Sequence, residues 1–173
     1  RDGLFEGKCG LGPSPIEVPF DTVVGAVRDA LPELPGALAP WSTRTARIAA
    51  RLLEDLDAPL DALRGRWRPE RIAVLLGTST AGADVTENAY RAFLADGALP
   101  ADYDLFRHHT YGAILHVVRT LTGARGPAWV VSTACTSSAK PLATAQRLIA
   151  SDQIDAAIVR SEERRVGKEC EDL

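Results

Sequence analysis

Three short apolar runs, each bounded by glycine, proline or small polar residues, limit what this chain can fold into: Ile72-Ala73-Val74-Leu75-Leu76, Ala128-Trp129-Val130-Val131-Ser132 and Asp155-Ala156-Ala157-Ile158-Val159. Compact apolar runs between turn signals have the pattern of buried strands. The segments between them follow a helical period. Ile48, Leu52, Leu53 and Leu56 recur at helical spacing with Ala46, Ala49 and Ala50 in support, and Ser42 or Thr43 can cap the start. A second helix is predicted from Asp84 to Leu94, closed by Asp96-Gly97. A third covers His109 to Leu121, with Ala113, Val117 and Leu121 on one side, and a fourth, largely apolar, runs from Thr136 to Ala150. Strands that alternate with helices specify an α/β layered fold.

The connectors are marked by breakers. Pro59 is expected to end the first helix, Gly65 to Pro69 and Pro100 to Arg107 are polar links, and Thr122 to Pro127 is a turn. The first forty residues are rich in Pro and Gly and hold one short helical stretch, Asp21 to Leu31. The glycine spacing of Gly7-Lys8-Cys9-Gly10-Leu11-Gly12 resembles a phosphate loop. No strand precedes it, and Pro13, Pro15 and Pro19 separate it from any helix, so it reads as an irregular surface loop.

The bulk properties exclude several function classes. The 173 residues, 46% of them apolar, suffice for one domain with a core. A formal charge of −3, with no basic stretch in the middle of the chain, argues against nucleic acid or an anionic membrane as partner. No apolar run approaches the roughly 18 residues that span a bilayer, and the first residues lack the features of a signal peptide. A soluble, cytoplasmic protein is expected. Cys9, Cys135 and Cys170 are odd in number and far apart, which describes no disulfide framework. Without a C-x-x-C pair or a histidine near a cysteine in sequence, neither a metal nor a cofactor is expected. Methionine is absent, so the N-terminus is expected to be processed or, preferably, missing.

The charged string Arg160 to Cys170 arrives where a buried strand should turn into its next loop. It resembles the in-frame translation of a sequencing-adapter oligonucleotide; the alternative is a genuine charged C-terminal tail. The expected division is 1–159 as part of a natural domain and 160–173 as a non-native tail, in which Cys170 has no function.

The chemistry concentrates in Val130-Val131-Ser132-Thr133-Ala134-Cys135-Thr136-Ser137-Ser138-Ala139. A cysteine between a strand and a helix sits where unpaired helix N–H groups and the positive end of the helix dipole favour thiolate. The small neighbours admit a substrate chain, and the N–H of Cys135 itself can serve as one oxyanion donor. These features suit a covalent nucleophile; the alternative is a buried structural cysteine. A different enzymatic reading falls on Ser79 in Gly77-Thr78-Ser79-Thr80-Ala81-Gly82. It fails the G-x-S-x-G spacing of a nucleophile elbow, because the second glycine comes one place late and no acid and base follow in order.

Ser132-Thr133-Ala134-Cys135-Thr136-Ser137-Ser138-Ala139-Lys140 resembles the active-site segment of β-ketoacyl-[acyl-carrier-protein] synthases. Ile72 to Gly82 and Asp155 to Val159 resemble the strands before and after it, so the likeness covers residues 42–159 in order. The resemblance implies a thiolase-like layered fold, present only as part of its N-terminal half, and a homodimer when whole. It implies a decarboxylative Claisen condensation in fatty acid biosynthesis, with an acyl carrier protein as partner. Cys135 would accept the acyl group, and a malonyl thioester would lose carbon dioxide and attack it. The family's two catalytic histidines, its lysine and its glycine-rich oxyanion loop belong to a C-terminal half beyond this sequence. His108, His109 and His116 match none of those motifs and are read as surface or packing residues; Lys140 is not the family's lysine. Pro141 departs from the pattern and predicts a helix kink. The segment alone is expected to be inactive and poorly soluble. Within the same fold, a polyketide ketosynthase or a thiolase is the alternative. From another class, the alternatives are a structural α/β protein or a chain-length-partner subunit, which typically lacks the cysteine.

Overall fold

The computed structural model describes residues 9–14, 17–27 and 30–161, with Cys135 and Ser161 defined through their backbone. The chain divides into two units, residues 1–30 and 31–173. In the first, β1 (Gly12–Pro13) and β2 (Val23–Val24) pair antiparallel, Gly12 opposite Val24 and Pro13 opposite Val23. The helix expected from Asp21 to Leu31 is absent from all of its described residues. The β-branched pair Val23-Val24 favours the extended form, and among the described residues of this unit none is buried in a core that could override that preference.

The second unit holds a parallel sheet of β3 (Ile72–Gly77), β4 (Ala128–Val131) and β5 (Ala156–Ser161) in the order β4-β3-β5. The crossover from β3 to β4 contains α3 (Ala83–Asp96), α4 (Leu105–His108) and α5 (Tyr111–Thr122); that from β4 to β5 contains α6 (Ala139–Ala150). Before the sheet come a 3-10 turn (Gly36–Trp41), α1 (Arg44–Glu54) and α2 (Asp57–Arg66). All three predicted strands therefore form. β5 runs through Arg160 and Ser161, which stand opposite Leu76 and Gly77. Residues 162–173, including Cys170, lie outside the described residues.

β3 is buried along its whole length, and its alternation sorts the core into two layers. Ile72, Val74 and Leu76 pack against Ala49 of α1 and against Ile114 and Val118 of α5. Ala73 and Leu75 face the other way, toward Ala145 of α6 and Ile154. Helices thus cover both faces, as a parallel sheet requires. A smaller cluster of Leu34, Leu38, Ala46, Ala50 and Val117 fixes the 3-10 turn over α1 and α5.

Several boundaries differ from the sequence pattern for local reasons. Thr43 caps α1, its Oγ1 accepting the Ala46 N–H at 3.1 Å. Pro59 does not end that helix; it lies in the first turn of α2, where a missing N–H costs no intrahelical bond. Gly65 likewise belongs to α2 rather than to the connector. Within the link from Pro100 to Arg107, Asp104 caps the short α4 by accepting the Arg107 N–H at 3.0 Å. The same argument removes the kink expected at Pro141. That residue is the third of α6, inside the first turn, and the helix continues unbroken to Ala150.

The entrances to β3 and β5 are tied by one arginine. Arg71 donates to both carboxylate oxygens of Asp155, at 3.0 and 2.6 Å, and to the Asp152 carboxylate and carbonyl at 2.6 and 2.9 Å. The Asp155 N–H returns a bond to the Arg71 carbonyl at 2.9 Å. The hydrogen bonds from Arg71 hold the Asp155 carboxyl below its ordinary range, and the same bonds raise the arginine. A carboxyl whose pKa is depressed on folding stabilises the fold above its unfolded value of about 3.9, and that contribution disappears as pH falls through the lower folded value. Asp155→Asn is therefore expected to flatten the loss of stability in acid, measured as denaturation midpoints between about pH 5 and pH 2. Identical pH profiles for variant and wild type would show that the clamp contributes nothing.

Candidate active site

β3 and β4 run parallel and finish side by side, with Gly77 opposite Val131, and the Thr78 N–H extends the ladder to the Val131 carbonyl at 3.2 Å. The loops that leave these two ends, 78–82 and 132–138, meet at the carboxyl edge of the sheet. In open parallel sheets this edge is where ligands bind.

The loop after β4 is a tight turn built by its own short side chains. Ala134 has a φ of 47°, the left-handed region that a side chain with Cβ enters at a cost of about 1 kcal/mol. Ala134–Thr136 then forms a single 3-10 turn with Cys135 at its centre. The Thr136 and Ser137 N–H groups donate to the Thr133 and Ala134 carbonyls at 3.2 and 3.0 Å. The buried Ser137 hydroxyl accepts the Thr133 N–H at 2.8 Å, and the Thr136 hydroxyl lies 2.9 Å from the Thr133 carbonyl. Ser137 and Ser138 already have helical dihedrals, so the turn leads into α6. The helix itself begins at Ala139, three residues later than the pattern indicates.

The turn docks onto the end of β3 through a backbone contact that only glycine permits. A Cβ on Gly77 would lie 2.0 Å from the Ser137 carbonyl oxygen, with Pro141 Cγ next to it at 3.4 Å. The neighbouring loop is equally tight. Thr78 Oγ1 accepts the Thr80 and Ala81 N–H groups, each at 3.3 Å, Ala81 has a φ of 48°, and Thr45 Oγ1 donates to the Ala81 carbonyl at 2.8 Å. A side chain from outside both loops joins them. Ser132 Oγ donates to Tyr111 Oη at 3.0 Å, and Tyr111 donates to the Ser79 carbonyl at 3.2 Å. Ser79 thus contributes its carbonyl to a bridge between the loops.

The three histidines have local partners. His108 Nδ1 accepts the Asp104 N–H at 3.0 Å, His109 Nδ1 lies 2.9 Å from Thr86 Oγ1, and the His116 ring packs on Trp41 at 4.3 Å between centroids. Lys140 is exposed at the start of α6, and Cys9 is an exposed free thiol. Among the described residues no group of three or more His, Cys, Asp or Glu could hold a metal ion, and no helix is long and apolar enough to cross a membrane. The pattern of residue types misses Tyr111, which carries no chemical signature as the first residue of a helix, and the contact at Gly77, which is tertiary.

Gly77→Ala is expected to destabilise the fold by about 3 kcal/mol, the upper end of ordinary overpacking, because the obstructing atom is backbone. Gly65→Ala, in open space on α2, should instead stabilise by up to about 1 kcal/mol. Denaturant unfolding of the pair measures both, and equal effects would refute the docking argument.

Residues 40–164 match the profile of the β-ketoacyl synthase N-terminal domain. A curated protein of Streptomyces virginiae named as a polyketide beta-ketoacyl synthase 1 is 29% identical over 153 residues, which span 81% of this chain and 35% of that protein. The solved structure of a ketosynthase (ApeO) in complex with its chain length factor (ApeC), from Xenorhabdus doucetiae, superposes with a TM-score of 0.75 at 28% identity, covering 88% of this chain and 40% of that one. A beta-ketoacyl synthase from Burkholderia phymatum shares the fold at a TM-score of 0.57 and 20% identity, over 73% of this chain and 31% of its own. This sequence thus spans about a third of the curated relative. Its strand–cysteine turn–helix unit lies inside the matched region, and the chain belongs to the β-ketoacyl synthase family, carrying part of the thiolase-like fold.

Proposed function

We propose that Cys135 is the acyl-accepting nucleophile of a condensing ketosynthase, of which this sequence forms part of the N-terminal half. The observation that carries the proposal is the place of Cys135 at the centre of a braced 3-10 turn between β4 and α6, within a chain of this family. The first turn of α6 follows within a few residues. Its dipole favours the thiolate.

In the proposed reaction the Cys135 thiolate adds to the thioester carbonyl of an acyl carrier protein. The tetrahedral oxyanion takes a hydrogen bond from the Cys135 N–H, and the carrier thiolate leaves, so the acyl group rests on sulfur. A malonyl thioester then loses carbon dioxide, its carbanion attacks the acyl-enzyme, and Cys135 is released as thiolate. Groups that promote decarboxylation would come from the remainder of the synthase, since His108, His109 and His116 are engaged locally. The intact protein is proposed to work as a dimer with a carrier protein as substrate.

Two pathways suit this chemistry. The same condensation serves fatty acid synthesis and polyketide assembly, and the name of the curated relative favours the polyketide role. A partner subunit of the chain-length type is disfavoured by the cysteine at position 135.

Incubated with an acyl-carrier thioester, the intact synthase should gain one acyl mass per subunit. Cys135→Ala should remain folded and lose acylation by at least about a thousandfold, as expected when a nucleophile is removed. An acyl adduct of normal stoichiometry on that variant, read by intact-protein mass spectrometry, would exclude Cys135.

A further inference from the structure

We infer that Tyr111 is a positioning residue for the acylation step, acting through Ser132 on the turn that carries Cys135; this rests on the assignment of Cys135 as nucleophile. The turn is short and strained. Ala134 is held in the left-handed region, and the bonds at Thr136 and Ser137 close back on Thr133 and Ala134 within the turn itself. Such bonds set the internal shape of the turn but not its height above the sheet. That height is fixed from below by the contact of Ser137 with Gly77 and from the side by Tyr111. The tyrosine stands at the start of α5 and reaches both strand-end loops at once. It accepts from Ser132, the residue on which the chain leaves β4, and donates to the Ser79 carbonyl after β3.

The bridge is partly exposed, with Tyr111 at 39%. Water can replace hydrogen bonds in such a place at little net cost, so stability gives no reason for a tyrosine there. Its consequence is geometric. With Ser132 released, the first residue of the turn loses its side-chain tie to the Ser79 carbonyl, and the backbone of Cys135, three residues on, keeps the docking at Gly77 but loses its lateral brace. Reaction at a bound thioester demands alignment within a fraction of an ångström, whereas binding of the thioester does not.

The test uses the intact synthase. Tyr111→Phe removes only the hydroxyl and Ser132→Ala removes the other partner. Single-turnover acylation from an acyl-carrier thioester is followed over a range of carrier concentrations. Each variant should acylate about tenfold more slowly at saturation, with half-saturation unchanged, and the double variant should be no slower than either single one, because both delete the same bridge. A parallel hydrogen-exchange measurement should show the amides of residues 133–137 exchanging about tenfold faster in both variants. Saturating rates within twofold of wild type, losses that multiply in the double variant, or an effect confined to half-saturation would overturn the inference. Unchanged exchange would overturn it as well. If Tyr111→Phe fails to fold, Ser132→Ala decides the question alone. Should the wild-type protein take no acyl group on Cys135, the nucleophile assignment falls, and the exchange result then separately judges the brace.

Discussion

The backbone contact between the end of β3 and the cysteine turn is the constraint on which the rest of the site depends. At Gly77 the central strand passes the Ser137 carbonyl at a distance that leaves no room for a Cβ. That approach brings the 132–138 loop down onto the sheet, seats Pro141 beside the strand end, and starts α6 over Ala73 and Leu75. Without it the turn could keep its internal hydrogen bonds and still stand at the wrong height. The height of the turn that carries Cys135 is thus set from below by packing between two backbones, which is stiffer than contact through long side chains.

Around that contact the structure uses small polar groups in place of bulk. Ser137 satisfies the Thr133 N–H, Thr78 satisfies two N–H groups of its own loop, and Thr45 satisfies the Ala81 carbonyl. Each is a short hydroxyl that closes a turn on itself or on a neighbour, leaving the edge of the sheet lined by narrow side chains. Space at the sheet edge and rigidity of the loops, which ordinarily compete, are therefore met by the same residues. At the opposite end of the sheet the forces differ: Arg71 draws the entrances of β3 and β5 together by charge.

Much of the fold was legible in the residues. The run from Ile72 to Leu76 has no polar position, and only a strand covered on both faces is uniform in that way. The helical periods located α1, α3 and α5 to within a few residues, since each buries one stripe. What escaped were effects that need a third dimension. The pattern marks Pro59 as a breaker, yet it lies in the first turn of a second helix, and it marks Pro141 as a kink, yet that residue also occupies a first turn. In both cases the chain alone does not say where helix numbering begins. The stretch from Asp21 has a helical look but pairs as β2.

The division between sequence and structure follows from the range of the interactions. Residue pattern alone determined the α/β class and the strand–cysteine–helix unit, because burial periodicity and turn chemistry act over a few neighbours, and the likeness to condensing enzymes came from the resemblance of Ser132 to Lys140 to that family's segment. Only the tertiary structure decided that β3 lies between β4 and β5, that a glycine admits the cysteine turn, and that Tyr111 joins loops separated by more than fifty residues. Strand order and loop-to-loop contact depend on which distant surfaces meet, and no local pattern records that choice.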